Sequence, residues 1–331
     1  MGSETHSTHA GSRWFRPAAL ATVLILPLAL TACGNGNGTG AGTGTGTPGA
    51  TDTPRTGSPS PGDGTGTATP GTRPAPTPSP APPAPPTATG GGQQKQVRAA
   101  VYFLHGEQVS PAPRSVTAPA TTAGALRALL AGPSGFERGH GRTTAIPTGT
   151  TLHSVAVRDR VATVDLSGRY DDGGGSLSMR ARLAQVVFTA TRFPSIDKVL
   201  FALDGKPVRS FGGEGIELNR PVGRSDFEDL TPDILVESPM IGDTIRTPVR
   251  VWGTANTFEA TFRLKVTDAA GRTGADIYGT ATSGSGTRGT FDVTFPYTAT
   301  RSGAGVLTSY WDSPEDGRPV VSDTVPVTVN R

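Results

Sequence analysis

Hydrophobic positions along this chain fall into three regimes. Residues 18–30 are almost continuously apolar, residues 34–92 carry no aromatic or large aliphatic side chain, and from residue 96 onward apolar positions recur with the periods of strands and helices. In the third regime "QVRAAVYFLHG" (96–106) places Val97, Val101 and Phe103 on alternate positions, which predicts a strand. "TTAGALRALLAGP" (121–133) predicts a helix, capped by Thr121 or Thr122, striped by Leu126, Leu129 and Leu130, and stopped by Gly132-Pro133. "TTLHSVAVRDRVATVDLSG" (150–168) reads as a hairpin turning at Arg158-Asp159-Arg160. A second helix over 176–192 carries Leu177, Leu183, Val186, Val187 and Ala190, and "DKVLFALDGKPVRSF" supplies another strand pair around Asp204-Gly205. This order predicts an α+β domain over 96–220, long enough to hold its own core.

After a polar link at 221–233 the helical period disappears. Seven short alternating runs, "ILVESP", "TPVRVWGTA", "ATFRLKVTD", "GADIYGTA", "GTFDVTFPY", "GVLTSYWD" and "DTVPVTVN", are separated by Gly, Pro, Asp or Ser turns. They predict an all-β immunoglobulin-like sandwich over 234–331, with Val249, Val251, Phe262, Leu264, Val266, Phe291, Val293, Phe295, Val325, Val327 and Val329 facing the space between two sheets. Pro248 and Pro326 belong at strand starts or edges, where a missing N–H is tolerated.

Composition changes the picture mainly before residue 96. Arg13 and Arg16 precede the apolar run, which is well short of the ~20 residues needed to cross a bilayer as a helix, so 1–32 reads as a cleavable secretory signal. "LTAC" (30–33) resembles the bacterial lipobox, which would place a diacylglyceryl group on the sulfur of Cys33. The alternative is a small buried hydrophobe, disfavoured between a signal and a segment unable to fold. Two acyl chains anchor stably where one is marginal. Residues 33–95, built from Gly, Thr, Pro, Ala and Ser, read as a disordered tether, since they bury too little to offset ordering. About 60 residues of such coil average about 45 Å end to end. Cys33 is the sole cysteine, so the exported part holds no disulfide, thiolate metal site or cysteine nucleophile. The net charge of +3, with Lys and Arg scattered among acids, argues against nucleic acid as a partner.

Candidate chemistry is sparse. Ser195 and Lys198 have the Ser-x-x-Lys spacing of penicillin-recognising acyl-transferases, but Pro194 ends the preceding helix and no Lys-Thr-Gly follows. Asp171 and Asp172 before "GGG" lack the spaced oxygen ligands of a calcium loop. His105, His140 and His153 show no zinc-ligand spacing and read as polar surface. No catalytic residue, metal ligand or cofactor is therefore assigned. Trp252 should point away from the sandwich core, a pointer to a partner or wall polymer. Phe258 and Glu259 form either a rim for sugar or peptide, or a Phe plug at the sandwich end with Glu259 pairing an arginine, the second being preferred.

Two resemblances add to this reading. "VYFL", "ALRALLAGP", "TAIPTGTTLHSVAVRDRVATVDLS" and "LAQVVFTATRFPSIDKVLFALDGKPV" together resemble the GerMN domain, a family of sporulation and germination. That resemblance implies a fold similar to ring-building domains of envelope-spanning secretion machines, and a role in assembly outside the membrane. "ESPMIGDTIRTPVRVWGTANTFEATFRLKVTDAAG" (237–271) is similar to the immunoglobulin-like domain of bacterial spore germination. The expectation is a non-enzymatic lipoprotein on the extracytoplasmic face of the cell membrane, held by acylated Cys33, with an envelope protein or peptidoglycan as partner. A wall-polymer-binding accessory of wall enzymes is the alternative, and a Ser/Lys acyl-transferase or hydrolase a remote one.

Overall fold

The computed structural model describes residues 95–212 and 215–331, all within one compact unit. The signal segment, Cys33 and nearly all of the tether lie outside the described residues.

The first domain opens with an antiparallel hairpin of Gln96–His105 (β1) and Gln108–Thr117 (β2), with the short Arg142–Thr143 (β3) on the other side of β1. Between them lie Thr121–Leu130 (α1) and Gly135–Gly139 (α2). Leu152–Arg158 (β4) and Val161–Leu166 (β5) form the expected hairpin, and Ser176–Ala190 (α3) then crosses over to Lys198–Leu203 (β6), parallel to β5. Lys206–Pro207 (β7) closes that sheet, and Ser210–Phe211 (β8) with Ile216–Glu217 (β9) make a small ribbon. Both two-residue turns, Asp159-Arg160 and Asp204-Gly205, have positive φ at each position, as such hairpins require.

The period-two pattern predicted β1 but not β2, because Pro111 and Pro113 interrupt "QVSPAPRSVT". Pairing explains why they are tolerated. Tyr102, opposite Pro111, turns its backbone N–H to Thr189 Oγ1 (3.0 Å) and its carbonyl to Gln185 Nε2 (3.0 Å), both on α3. The Tyr102/Pro111 pair is thus a non-hydrogen-bonded one, and the absent proline N–H falls on the outer side of an edge strand. These two contacts also explain the fully buried Gln185 and Thr189 in a helix whose residues 179 and 181–190 are all buried. Helix α3 packs on β1 and β2 of one sheet and β6 of the other. Leu177, expected in its apolar stripe, is 46% exposed in the first turn. Helix α1 starts from Ala120 without a side-chain cap, so neither Thr121 nor Thr122 plays the expected role. Helix α2 was not expected, although Ser134 and Glu137 form a capping box around its start.

The second domain is the predicted sandwich. Ile234–Ser238 (β10), Val249–Ala255 (β12) and Gly289–Phe295 (β15) make one sheet, the short Thr244–Ile245 (β11) lying between the first two in sequence. The other sheet has the order β11-β17-β16-β13-β14, with β13 Thr261–Thr267, β14 Thr273–Thr280, β16 Gly303–Asp312 and β17 Pro319–Val329. The expected inward residues form one cluster, with Val293 at its partly buried margin. Pro248 immediately precedes β12, as expected, but Pro326 lies inside β17, opposite Val306 of β16, with its carbonyl accepting from the Gly242 N–H (2.8 Å). Its absent N–H is tolerated because it faces the β11 side, where pairing covers only Thr328 and Val329.

Strand β10 joins the domains. Its run Ile-Leu-Val is buried on both faces: Ile234 and Val236 enter the sandwich core, whereas Leu235 belongs to the core of the first domain. Residues 221–233, read from sequence as a polar link, are packed as well. Arg224–Leu230 forms a 3-10 segment that buries Phe227 and Leu230 in the first core, while Glu228 accepts hydrogen bonds from Arg288 (3.0 Å) and Asn256 (2.8 Å) of the sandwich.

Candidate functional site

The sequence of β10 sets a glutamate immediately after its doubly buried apolar run, and the fold gathers cations around it. A bulge between Val236 and Ser238 offsets β10 against β12 at Gly253 and Trp252. At Gly253 any Cβ would sit 2.0 Å from the Leu235 carbonyl oxygen, so the close approach of the two strands requires glycine. Glu237, only 3% exposed, accepts hydrogen bonds from the hydroxyl of Tyr102 on β1 and from Nη1 of Arg224 (2.6 Å). Arg192, two residues past α3, brings its Nε to 3.5 Å from Glu237 Oε2.

Arg224 is held on every side. Its Nε donates to Thr191 Oγ1 (2.9 Å), its Nη2 to the Phe188 carbonyl (3.2 Å) and to the Tyr102 oxygen (3.2 Å), and its plane lies over the Phe188 and Tyr102 rings. Burial pushes the Tyr102 phenol far above the ordinary tyrosine range. Arg224 draws it back down and Glu237 drives it up again. Burial would lower the Arg224 pKa, but Tyr102 and Glu237 outweigh burial and raise it. Tyr102 therefore acts as a neutral donor in this cluster, and Arg224 as a permanent cation.

Beside this cluster a cleft of about 910 Å³ runs along the outer face of the sheet β10-β12-β15. That face presents Arg250, Trp252 and Thr254 from β12, paired in register with Thr294, Asp292 and Thr290 of β15. Arg192 of the first domain overhangs it, with its guanidinium 4.6 Å from the centre of the Trp252 ring. Arg250 and Asp292 form an exposed bidentate pair (2.8 Å for the Nε bond) at the rim. The arrangement offers planar cations, an aromatic ring and hydroxyls, with no nucleophile and general base in contact.

Trp252 points out of the sandwich, as the strand alternation predicts, and meets the first domain of the same chain through Arg192. Phe258 and Glu259 do not line the cleft. They lie in a turn where Glu259 has φ 52° and donates its backbone N–H to Ser285 Oγ (3.0 Å). Phe258 is 50% exposed and Glu259 pairs with no arginine among the described residues, so the preferred plug arrangement is not the one present. Ser195 lies in the turn after α3 and Lys198 opens β6, so they share no helical face. Asp171 accepts the Gly212 N–H (2.8 Å). His105 is not polar surface: its Nδ1 lies 2.7 Å from Asp323 Oδ1 in the sandwich, beside the buried Arg142, whose Nη2 donates to the Thr324 carbonyl (3.0 Å). His140 Nδ1 meets the Phe136 carbonyl (2.8 Å), and the half-exposed His153 is 3.8 Å from Asp165 and Asp204. No cluster of metal-ligating side chains occurs among the described residues.

Arg192, Arg224, Arg250, Tyr102 and Glu237 were not singled out from sequence. The one available signal was Glu237 itself, a carboxylate at the end of a run apolar on both faces, which must find cations if the strand is buried.

An α+β domain locked to an immunoglobulin-like sandwich through a buried ionic cluster defines the class of protein: a two-domain head with a cleft at its joint. Residues 100–209 match the family described as "Germane: Sporulation and spore germination", and residues 233–318 match the "Immunoglobulin-like domain of bacterial spore germination". The chain carries both domains, in that order. Neither family is one of known enzymes. No curated protein matches. Among solved structures, the chain is similar to the tandem GerMN domains of the sporulation protein GerM from Bacillus subtilis (15% identity, 61% of this chain and 62% of that chain, TM-score 0.34). It is also similar to the first GerMN domain of that protein (21% identity, 39% and 99%, TM-score 0.32). A third is a lipoprotein candidate from Clostridium perfringens (22% identity, 41% and 93%, TM-score 0.31).

Proposed function

We propose that this protein is a lipid-anchored, non-enzymatic binding protein of the extracytoplasmic face, contributing to envelope assembly of the sporulation or germination type. Cys33 carries the acyl chains, residues 33–95 carry the head away from the bilayer, and the two domains together present a surface of fixed geometry to an envelope protein or to peptidoglycan. The observation that supports this most is the joint. Tyr102, Arg192 and Arg224 converge on Glu237 across the domain boundary, while Leu235 plugs the first core from the second domain's strand. Such a weld suits a part that must hold two surfaces in register, whereas a flexible pair of recognition modules would need none of it.

The test is fractionation of cells producing the parent chain or Cys33→Ser, with a metabolic acyl label. The parent should be labelled and sediment with membranes, and the variant should be unlabelled and released. A parent that never takes up label defeats the anchor. In-cell crosslinking from the head then identifies the partner, and recovery of protein partners without wall glycan would favour a protein scaffold.

A further inference from the structure

The cleft at the domain joint has a charge that the protein itself does not balance. Glu237 is the one carboxylate at its inner wall, and its two oxygens already serve Tyr102 and Arg224 while Arg192 approaches. Two cations thus share one anion. Arg192 is the less satisfied of the two: its Nε is buried with no hydrogen-bond partner among the described residues. That Nε is closed off against Glu237, whereas the Arg192 side chain is 32% exposed and its two terminal Nη groups, which make no hydrogen bond among the described residues, are the donors open to a ligand in the cleft.

The geometry points to an acidic glycan, a chain of sugars bearing carboxylate groups, as the occupant of this cleft. Its volume of about 910 Å³ lies within the range of ligand sites and its open side lets a chain continue beyond it. Stacking on Trp252 fixes the plane of the Arg192 guanidinium, so its fork meets a planar carboxylate with little further ordering. At the rim, Arg250 is held only by an exposed pair with Asp292, the kind of contact that contributes little and exchanges readily for a ligand carboxylate. Thr280, Thr282 and Thr290 line the remainder with exposed hydroxyls, which donate and accept as sugar hydroxyls do. A nucleic acid would need a broad basic surface, whereas here the exposed cations are two and one of them is countered by Asp292.

This inference names a partner class for the proposed head and is independent of the Cys33 anchor. It is tested by calorimetric titration of the purified full-length chain with two probes: peptide-free glycan strands containing muramic acid, and a glucuronate oligomer. Each is compared with its carboxyl-methylated form. At least one acidic probe should bind, at least tenfold more tightly than its methylated form, and weaken as salt is raised. Arg192→Gln should reduce that affinity at least tenfold, and Arg250→Gln, at the exposed rim where folding is not at stake, should reduce it several-fold. Arg318→Ala, remote and exposed, should leave it unchanged. Absence of binding by both acidic probes, equal affinity for methylated forms, undiminished binding by Arg250→Gln, or equal binding of an oligoglutamate of the same charge would each overturn the proposal. Release of Cys33→Ser from membranes bears on the anchor alone, so the two readings fail separately.

Discussion

At the scale of single residues, the contrast between Glu237 and Asp292 shows what burial does to an ion pair. Both carboxylates meet an arginine, but Glu237 is buried with three partners and Asp292 is half exposed with one. Removing Glu237 leaves Arg224 and Tyr102 without their acceptor, so Glu237→Ala should cost about 3–5 kcal/mol, read as a shift in the urea midpoint. Asp292→Ala should leave that midpoint nearly unchanged. A comparable loss in both variants would show that the joint is no more important than the surface. Asp268 sets a different expectation, on pH. Its carboxylate accepts from the Thr300 hydroxyl (2.6 Å) and from the N–H groups of Thr300, Ala270 and Arg272. The Thr300 hydroxyl is the largest influence, burial opposes it, and the result holds the carboxyl well below its ordinary range. The ionised, bonded form therefore contributes its full stability above the unfolded-state value of about 4 and loses it as the pH falls toward the folded value. Asp268→Asn should melt below the parent at pH 7, with the gap closing progressively below about pH 4. A gap that is constant from pH 7 to pH 2 would remove the ionised carboxylate from the account.

At the scale of elements, β10 is the piece on which both domains depend. Its alternation delivers Ile234 and Val236 to one core and Leu235 to the other, so a single strand closes two hydrophobic volumes. Leu235→Ala should cost about 2–5 kcal/mol, as other buried leucine truncations do. The informative part is where the loss is felt. Although residue 235 belongs to the sandwich by sequence, hydrogen exchange should accelerate in β1 and α3 of the first domain as well as in β12. Acceleration confined to the sandwich would mean that Leu235 does not support the first core. Helix α3 has the same double duty on a smaller scale. It packs on both sheets of its domain and supplies Gln185 and Thr189 to backbone groups of Tyr102 that the edge strand does not satisfy.

At the scale of the whole molecule, the ordered link, the His105–Asp323 contact and the Glu237 cluster make one body out of two domains. Heating should give one calorimetric transition for residues 96–331, and native-state proteolysis should spare 221–233. Two resolved transitions, or early cleavage in that segment, would separate the domains. The long helices and most long strands of both domains were legible in the chain because their cores are local in pattern: Val249 and Val251, or Leu126 and Leu129, face inward by period alone. β2 was hidden by Pro111 and Pro113, since an edge position is a property of the sheet and not of the segment. The link at 221–233 was legible as polar but not as packed, because its polar residues find partners, Glu228 on Arg288 and Arg224 on Glu237, that lie 60 and 13 positions away in the chain. Of the cleft, Trp252 alone was legible, from strand alternation. By itself the sequence determined two domains in order, an α+β unit and a sandwich, with a lone cysteine placed after an apolar run, because periodicity and composition act within a few neighbouring residues. The tertiary structure decided that Arg192, Arg224 and Glu237 meet, and that Arg192 overhangs Trp252 at the cleft. Burial and charge pairing are settled by distance in space, which no local pattern encodes.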